Sequence, residues 1–570
     1  MTLYMKRLFI IGAVAATMGL VSCEDTVTKD PLDEFINNSE YWSNTVNLDN
    51  QCNRLYELYL GYGNSGVGGW YYFKCLNDDQ ANATFEQWPF VNVEAEDPTW
   101  TAAWEEIRGI GYITDGLKSS SLDADTKTYY EAVARLNRAW QYYQLVRTYG
   151  NVPWVNKALD TSDPILYAGR EDRDIIMDSV LNDLNFANKV IAGTDKTVWN
   201  NGMVNAMKAD ICLYEGTFCK YRNQQDNGKA ADPERAKKYL NECVTACNAV
   251  MAHGYKLNDS YKANYDSDDL SSNDEMIFIK SYVKDLFMHS TIDYTSSSSN
   301  QHGITKDAFD SFLFLDGKPL ASTTLDKSDA AELDAEGDVS ISKVLSVRDK
   351  RLAAIVDPCL GFKGYGWTRV EGARMTSSTG YTIGKFDNPE AFELYYRQNI
   401  GTNYTDAPIF WLAPVYLAYA EAKAELAELG AGTIIQDDLD LTINKLQARA
   451  GLPAMTTTPA ADPANDMGVS NLIWEIRRCR RCELMLDNWY RYWDLIRWHQ
   501  LDKLDTNKNP DILLGANVSN IPNLEVDVNA DGYIIATQNA QRIYNAKYYL
   551  YPIPSTQLTL NPNLGQNPNW

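Results

Sequence analysis

The sequence predicts a mainly α-helical protein in which stacked helical hairpins support a large, irregular, loop-rich half. Three observations carry that prediction. Apolar residues recur at three- and four-residue steps through most of 53–252 and again through 408–504, the period of an amphipathic helix. Helix starts and stops punctuate these segments at short intervals. Between them, over about 254–405, Ser, Asp, Gly and Thr dominate and the apolar stretches shrink to a few residues, as in turns and isolated strands.

The first stripe is Trp104, Ile107, Ile110, Ile113 and Leu117. Ala132, Leu136, Ala139, Tyr143 and Val146 form the second, and Ile176, Val180, Leu184 and Ala187 the third. Met203, Met207, Ile211 and Tyr214 make the fourth, and Ala236, Leu240, Val244 and Cys247 the fifth. Asp232 is placed to cap the fifth helix, with Pro233 in its first turn. Gly150 closes the second, and Pro153 follows it. Long helices on short links stack as hairpins, an arrangement that resembles tetratricopeptide architecture without a clear 34-residue repeat. In the loop-rich part Ser296 to Ser299 is of low complexity, and Met276-Ile277-Phe278-Ile279 reads as a strand. Helices resume at Pro408–Leu429, around Ile434–Ala450 and at Leu472–Leu504. Past Asn509 the chain is irregular, with a hairpin turn at Ala530-Asp531-Gly532. Long loops on a rigid scaffold usually carry function.

The N-terminal segment is an address. Lys6 and Arg7 precede an apolar run from Leu8 to Leu20, too short to span a bilayer. Leu20-Val21-Ser22-Cys23 then supplies a small-residue cleavage site. A cysteine directly after it resembles the lipobox of bacterial lipoproteins. That resemblance implies that residues 1–22 are a signal peptide, that Cys23 carries the lipid, palmitate included, and that 23–50 is a lipidated tether. Residues 51–570 would then be one domain, its helical scaffold at about 51–252 and 406–504 and its loop-rich part at about 253–405 and 505–570. Glu24-Asp25 behind the cysteine resembles a Bacteroidetes surface-export signal, which implies a lipid-anchored protein on the outer face of the outer membrane.

Composition narrows the partners. Formal net charge is -24 and pI about 4.6; so acidic a surface repels phosphate backbones and anionic headgroups. Nucleic acid is excluded on that ground, and the acyl chains are left as the membrane attachment. Apart from Cys23 the cysteines are Cys52, Cys75, Cys212, Cys219, Cys243, Cys247, Cys359, Cys479 and Cys482. An odd set cannot all pair. Cys212/Cys219 and Cys243/Cys247 lie inside apolar helical segments, where free cysteine behaves as a small hydrophobe. The 36 Tyr and 15 Trp outnumber the 16 Phe and suit surfaces that bind on one side and are wet on the other.

Several runs in order resemble one family. Glu131 to Tyr143 leads to Tyr149-Gly150-Asn151-Val152-Pro153-Trp154; Val347-Arg348-Asp349-Lys350-Arg351-Leu352 follows near the middle. Asp406-Ala407-Pro408-Ile409-Phe410 precedes Tyr419-Ala420-Glu421-Ala422. Then come Ala448-Arg449-Ala450-Gly451-Leu452-Pro453, Arg480-Arg481-Cys482-Glu483-Leu484 and Arg491-Tyr492-Trp493-Asp494-Leu495-Ile496-Arg497-Trp498. Tyr551-Pro552-Ile553-Pro554 and Gln566-Asn567-Pro568-Asn569-Trp570 close the chain. Behind a lipobox, these are similar to the SusD/RagB family of Bacteroidetes lipoproteins. Two positions depart from the pattern: Cys479 before the arginine pair, and Asp487-Asn488-Trp489-Tyr490 before Arg491. The resemblance implies a tetratricopeptide-like scaffold under an irregular half, no catalysis, and a partner, a SusC-type TonB-dependent transporter, to which captured oligosaccharide or polysaccharide is passed. A peptide ligand, as in RagB-like members, and a lipid-anchored glycan hydrolase are the alternatives. Read as chemistry, Arg480 with Glu483 and Arg491 with Asp494 are i,i+3 helix pairs, favoured over a glycosidase carboxylate pair.

A sugar-binding surface needs flat aromatic rings beside planar hydrogen-bonding groups. Two loop clusters offer them. One runs from Trp70, Tyr71 and Tyr72 through Asn77, Asp78, Asp79 and Gln80 to Trp88. The other comprises Tyr282, Phe287 and Tyr294, then Phe362, Tyr365 and Trp367. Trp70, Tyr71, Tyr72, Asp78, Trp88, Tyr294, Tyr365 and Trp367 are the candidate glycan contacts. No cofactor is expected. Cys479-x-x-Cys482 lacks the second pair a zinc site would want, and the four histidines have no ligand spacing. Asp527 to Gln538 resembles a calcium loop but ends in Gln, without the bidentate glutamate, and reads as a hairpin.

Overall fold

The computed structural model describes residues 38–64, 69–71, 76–292, 302–365, 367–370, 373–375, 377–487 and 489–570, with backbone alone at 367–370 and 373–375. Its scaffold begins with five long helices, α1 Pro98–Ser119, α2 Ala124–Tyr149, α3 Arg173–Val190, α4 Asn201–Tyr221 and α5 Pro233–Ala252. Each has a side-chain N-cap from the sequence's own Asp or Asn: Asp97, Asp123, Asp172, Asn200 and Asp232 each accept a first-turn N–H, a contact of about 1 kcal/mol each. The Asp232–Pro233 start stands where the sequence places it, and Gly150 ends α2 with φ +72°, a conformation only glycine takes without strain. Successive helices pack together, α1 on α2, α2 on α3, α4 on α5. The helix-rich, tetratricopeptide-like scaffold that the resemblance implies is thus present.

The later helices are shorter than the periodicity suggests. The expected helix from Pro408 starts only at Leu412: α7 is Leu412–Glu428, and Ala407–Trp411 is a strand, β8. Pro408 has no N–H to give a helix, and the segment pairs antiparallel with β2, Met276–Lys280, the strand read from sequence. This ladder ties the two ends of the loop-rich half together beside the scaffold. The segment expected as one helix at 472–504 is α8, Asn471–Glu483, then a turn with Leu486 at φ +68°, then α9, Arg491–Arg497. The 434–450 segment breaks at Thr442, where ψ is -88°.

Partners from distant segments replace the ion pairs expected within these two helices. Arg480 bonds Asp494 at 2.8 Å, Glu483 takes Arg351 at 2.9 Å and also Arg449, and Arg491 reaches Asp78 at 2.6 Å. The i,i+3 pairings Arg480–Glu483 and Arg491–Asp494 do not form; the same residues join distant segments instead. One hydrophobic core runs from Trp42 to Leu564. Cys52, Cys212, Cys219, Cys243, Cys247, Cys359, Cys479 and Cys482 are free thiols, all but Cys359 buried. Among the described residues no helix is long and apolar enough to cross a membrane.

Candidate functional site

The first aromatic cluster is core. The Trp70 ring stacks on Trp489 with centroids 4.6 Å apart and lies 6.0 Å from Trp140. Tyr71 is buried among Tyr62, Tyr265 and Phe386, its hydroxyl donating to the Pro408 carbonyl. Trp88 is buried against Tyr548 at 4.2 Å, and its indole N–H donates to the Ile543 carbonyl at 2.8 Å. Asp78 is buried under Arg481 and Arg491; burial pushes its carboxyl up, but the two guanidiniums outweigh that and hold it well below the usual range. Arg542 clamps this loop through the carbonyls of Asn77 and Glu86. Tyr71, Asp78 and Trp88 therefore have their polar groups taken by protein, the Trp70 ring is covered by Trp489 and Trp140, and none of the four offers a free platform in this structure.

Tyr72 and Tyr294 lie outside the described residues, as does Cys23. Trp367 opens strand β6, Trp367–Val370, paired with Ala373–Met375. Tyr365 is half-buried: its hydroxyl donates to the Pro522 carbonyl and its ring packs on Phe362 at 5.4 Å. It does not join the first cluster. The calcium-like segment is a hairpin, as read: Asn529 Oδ1 accepts from the N–H groups of Asp531 and Tyr533, and Leu514–Asn517 pairs with Tyr533–Ile535. Asp334, Asp338 and Cys359 bring three ligand-type atoms within 4.8 Å, as do Asp174, Glu215 and Cys219. In the second set Arg173 and Arg222 already pair with the carboxylates.

An exposed aromatic surface lies elsewhere, beside Tyr282 and Phe287. After β2 the chain makes a tight hairpin in which Val283 and Phe287 exchange backbone bonds at 2.8 and 2.9 Å and Asp285 takes φ +63°. The Tyr282 ring is buried, its hydroxyl donating to the Gly63 carbonyl at 2.6 Å, and Phe287 stacks flat on it at 5.0 Å and 4°. Phe287 keeps 36% of its surface exposed and Leu286 84%. Facing them is the short helix α6, Leu394–Gln398, anchored from below by a bidentate Arg397–Asp387 pair at 2.7 Å. It presents Tyr395, 58% exposed, and Tyr396, whose hydroxyl donates to Asp285 at 3.1 Å. Tyr404 meets Tyr396 edge-on at 5.3 Å, and the Lys284 ammonium sits 4.2 Å from the Tyr396 ring centroid.

The floor of this surface is rigid. His289 and Asn403 exchange backbone bonds at 2.8 and 3.0 Å. The buried His289 ring packs on Tyr62 and Tyr282 with Nε2 3.0 Å from the Thr405 carbonyl, and burial lowers its pKa to about 3, so it is neutral. Asp406 accepts the backbone N–H of Tyr282 at 2.8 Å; burial pushes its carboxyl up to about 6. Fixed rings with polar edges at their margins can stack on the C–H faces of a flat ligand and bond its hydroxyls. Tyr395, Tyr396 and Tyr404 were not singled out from sequence. The signal was available: Tyr395-Tyr396-Arg397-Gln398-Asn399 is an aromatic pair beside planar polar groups in a loop-rich segment.

Comparison places the chain. The SusD family model matches residues 248–570, more than half of the sequence, and a second model, described as starch-binding associating with outer membrane, matches 74–224. The chain belongs to the SusD family. No curated protein matches it. Among solved structures it is similar to a SusD-like carbohydrate-binding protein of Bacteroides fragilis, 22% identical over 92% of this chain and 100% of that one, with a TM-score of 0.67. It is also similar to a surface glycan-binding protein A of Bacteroides fluxus, 15% identical over 93% and 100%, TM-score 0.60. A laminarin-binding SusD-like protein is 17% identical over 92% and 99%, TM-score 0.54. At these identities the likeness is one of fold.

Proposed function

We propose that this protein binds glycan at the surface formed by the 283–287 hairpin and α6, and passes it to a SusC-type TonB-dependent transporter while tethered to the outer membrane through Cys23. The observation that carries the reading is the set of partly exposed rings, Phe287 on the hairpin and Tyr395 and Tyr396 on α6, with the two elements joined through the Tyr396–Asp285 hydrogen bond, in a chain of the SusD family. A glycan role is also what the names of the similar solved structures say of those proteins. Catalysis is not part of the reading. The buried carboxylates Asp78, Glu421 and Glu483 are bound to arginines, which suits structure and not acid–base work. Trp367 and Tyr294 are proposed as further contacts on sequence grounds.

The test is a binding screen of the protein from residue 24 onward against plant, host and bacterial polysaccharides and a peptide pool. Retardation by at least one glycan, without release of reducing ends, is expected. Binding to peptides and to no glycan would overturn the reading in favour of a peptide-capturing member of the family.

A further inference from the structure

Lys280, the last residue of β2, stands out beside the aromatic surface. Its half-buried ammonium lies 5.4 Å from the Phe287 ring centroid and 6.0 Å from that of Tyr282. Its hydrogen bonds are long, 3.3 Å to the Leu60 carbonyl and 3.3 Å to Asn64 Oδ1, and it forms no ion pair among the described residues. An ammonium has three donors, so capacity is left over. Burial lowers its pKa, with Glu57 acting the other way from a distance; a carboxylate placed beside it would relieve that. Lys284, on the same hairpin, lies over the Tyr396 ring and has a long 3.4 Å pair with the exposed Glu393, a contact worth little and easily exchanged for a ligand carboxylate.

The wider surroundings limit how much negative charge a ligand can bring. Asp285 and Glu393 line the same rings, and the chain carries a net charge of -24. A dense polyanion meets repulsion over its whole length, whereas a single carboxylate finds Lys280 within a Debye length and partly desolvated.

Building on the glycan-binding reading, we infer that the preferred ligand is a largely neutral glycan bearing isolated carboxylates, such as single uronate branches, with Lys280 as the carboxylate's partner and Lys284 beside it. The neutral sugar rings stack on Phe287 and Tyr395, and the branch reaches the end of β2.

The experiment compares sparsely uronated polysaccharides, glucuronoxylan and glucuronate-tipped arabinogalactan among them, each beside its carboxyl-reduced neutral form, by titration calorimetry. The acidic form is expected to bind about tenfold more tightly, as a charge-assisted hydrogen bond supplies. Lys280→Met should abolish that preference, so that the acidic and carboxyl-reduced forms bind alike, and Lys280→Arg should keep it. Equal binding of acidic and reduced forms by the wild type, or a preference that survives Lys280→Met, overturns the inference and leaves glycan binding standing. Binding of no form of any glycan removes the underlying reading and the inference with it.

Discussion

Replacing Glu421 by Ala lowers the free energy of unfolding by about 3–5 kcal/mol, the cost of removing one partner from a buried ion pair. Glu421 lies on α7 with no exposed surface. Arg497 of α9 donates to both its oxygens, at 2.7 and 2.8 Å, and the Trp498 indole N–H adds a third bond at 2.6 Å. Arg497 also holds Asp494 at 2.8 Å and Thr217 of α4 at 3.0 Å. Asp494 in turn takes Arg480 of α8. The network around this one carboxylate thus joins four helices, and truncating it leaves Arg497 with Asp494 alone as counter-charge and the Trp498 indole N–H without its acceptor in a buried site.

The same group gives the effect a pH signature. Burial pushes the Glu421 carboxyl up, but Arg497, helped by Arg477 and Arg480, outweighs this and holds it at about 2, against 4.5 for a free glutamate. A depressed carboxylate contributes stability that is fully present above pH 4.5 and is lost as pH falls through 2, on the order of 3 kcal/mol in all. The wild type's advantage over Glu421→Ala, followed by urea unfolding, should therefore shrink as pH falls from 4.5 toward 2. A variant within 1 kcal/mol of wild type at pH 7 would show that this network is not what holds the four helices.

Removing both Phe287 and Tyr395 as alanines weakens glycan binding by about 10- to 100-fold, from the loss of two stacking faces at roughly 1 kcal/mol or more each. The fold should be spared at Tyr395, which is mostly solvent-facing, and only loosened at Phe287, whose inner face covers Tyr282. Titration of the double variant against the glycan found in the screen, with far-UV circular dichroism as a control, checks this. Unchanged affinity would move the site away from the hairpin and α6.

Much of the scaffold was readable because its signals are local. The stripes on α1 to α5, the Asp232 cap and the Gly150 stop depend on residues a turn apart, and the structure honours them. The β2 strand was readable from Met276 to Ile279, but its partner was not. Pro408 begins an apolar run that looks like the approach to a helix, and only the distant β2 ladder makes Ala407–Trp411 a strand. The ion pairs failed for the same reason. Arg480 and Glu483 share α8 and Arg491 and Asp494 share α9 at helical spacing, yet each takes a partner on another segment. The aromatic residues were the hardest to sort. Trp70, Tyr71 and Trp88 share the composition of a binding loop, but stacking on Trp489 and Tyr548 and an edge-on contact with Tyr62 make them core. Tyr395 and Phe287 look no different in sequence. What separates them is which ring faces neighbouring segments leave open, and that is decided in three dimensions.

Hydroxyl-radical footprinting of the full-length mature protein, with and without its glycan, tests the location of the site most directly. Ligand should protect Phe287, Tyr395 and Tyr396 from oxidation and leave Trp88 and Trp70, already covered by protein, unchanged. Protection elsewhere, with the labelling of Tyr395 and Phe287 unaltered, would contradict the account.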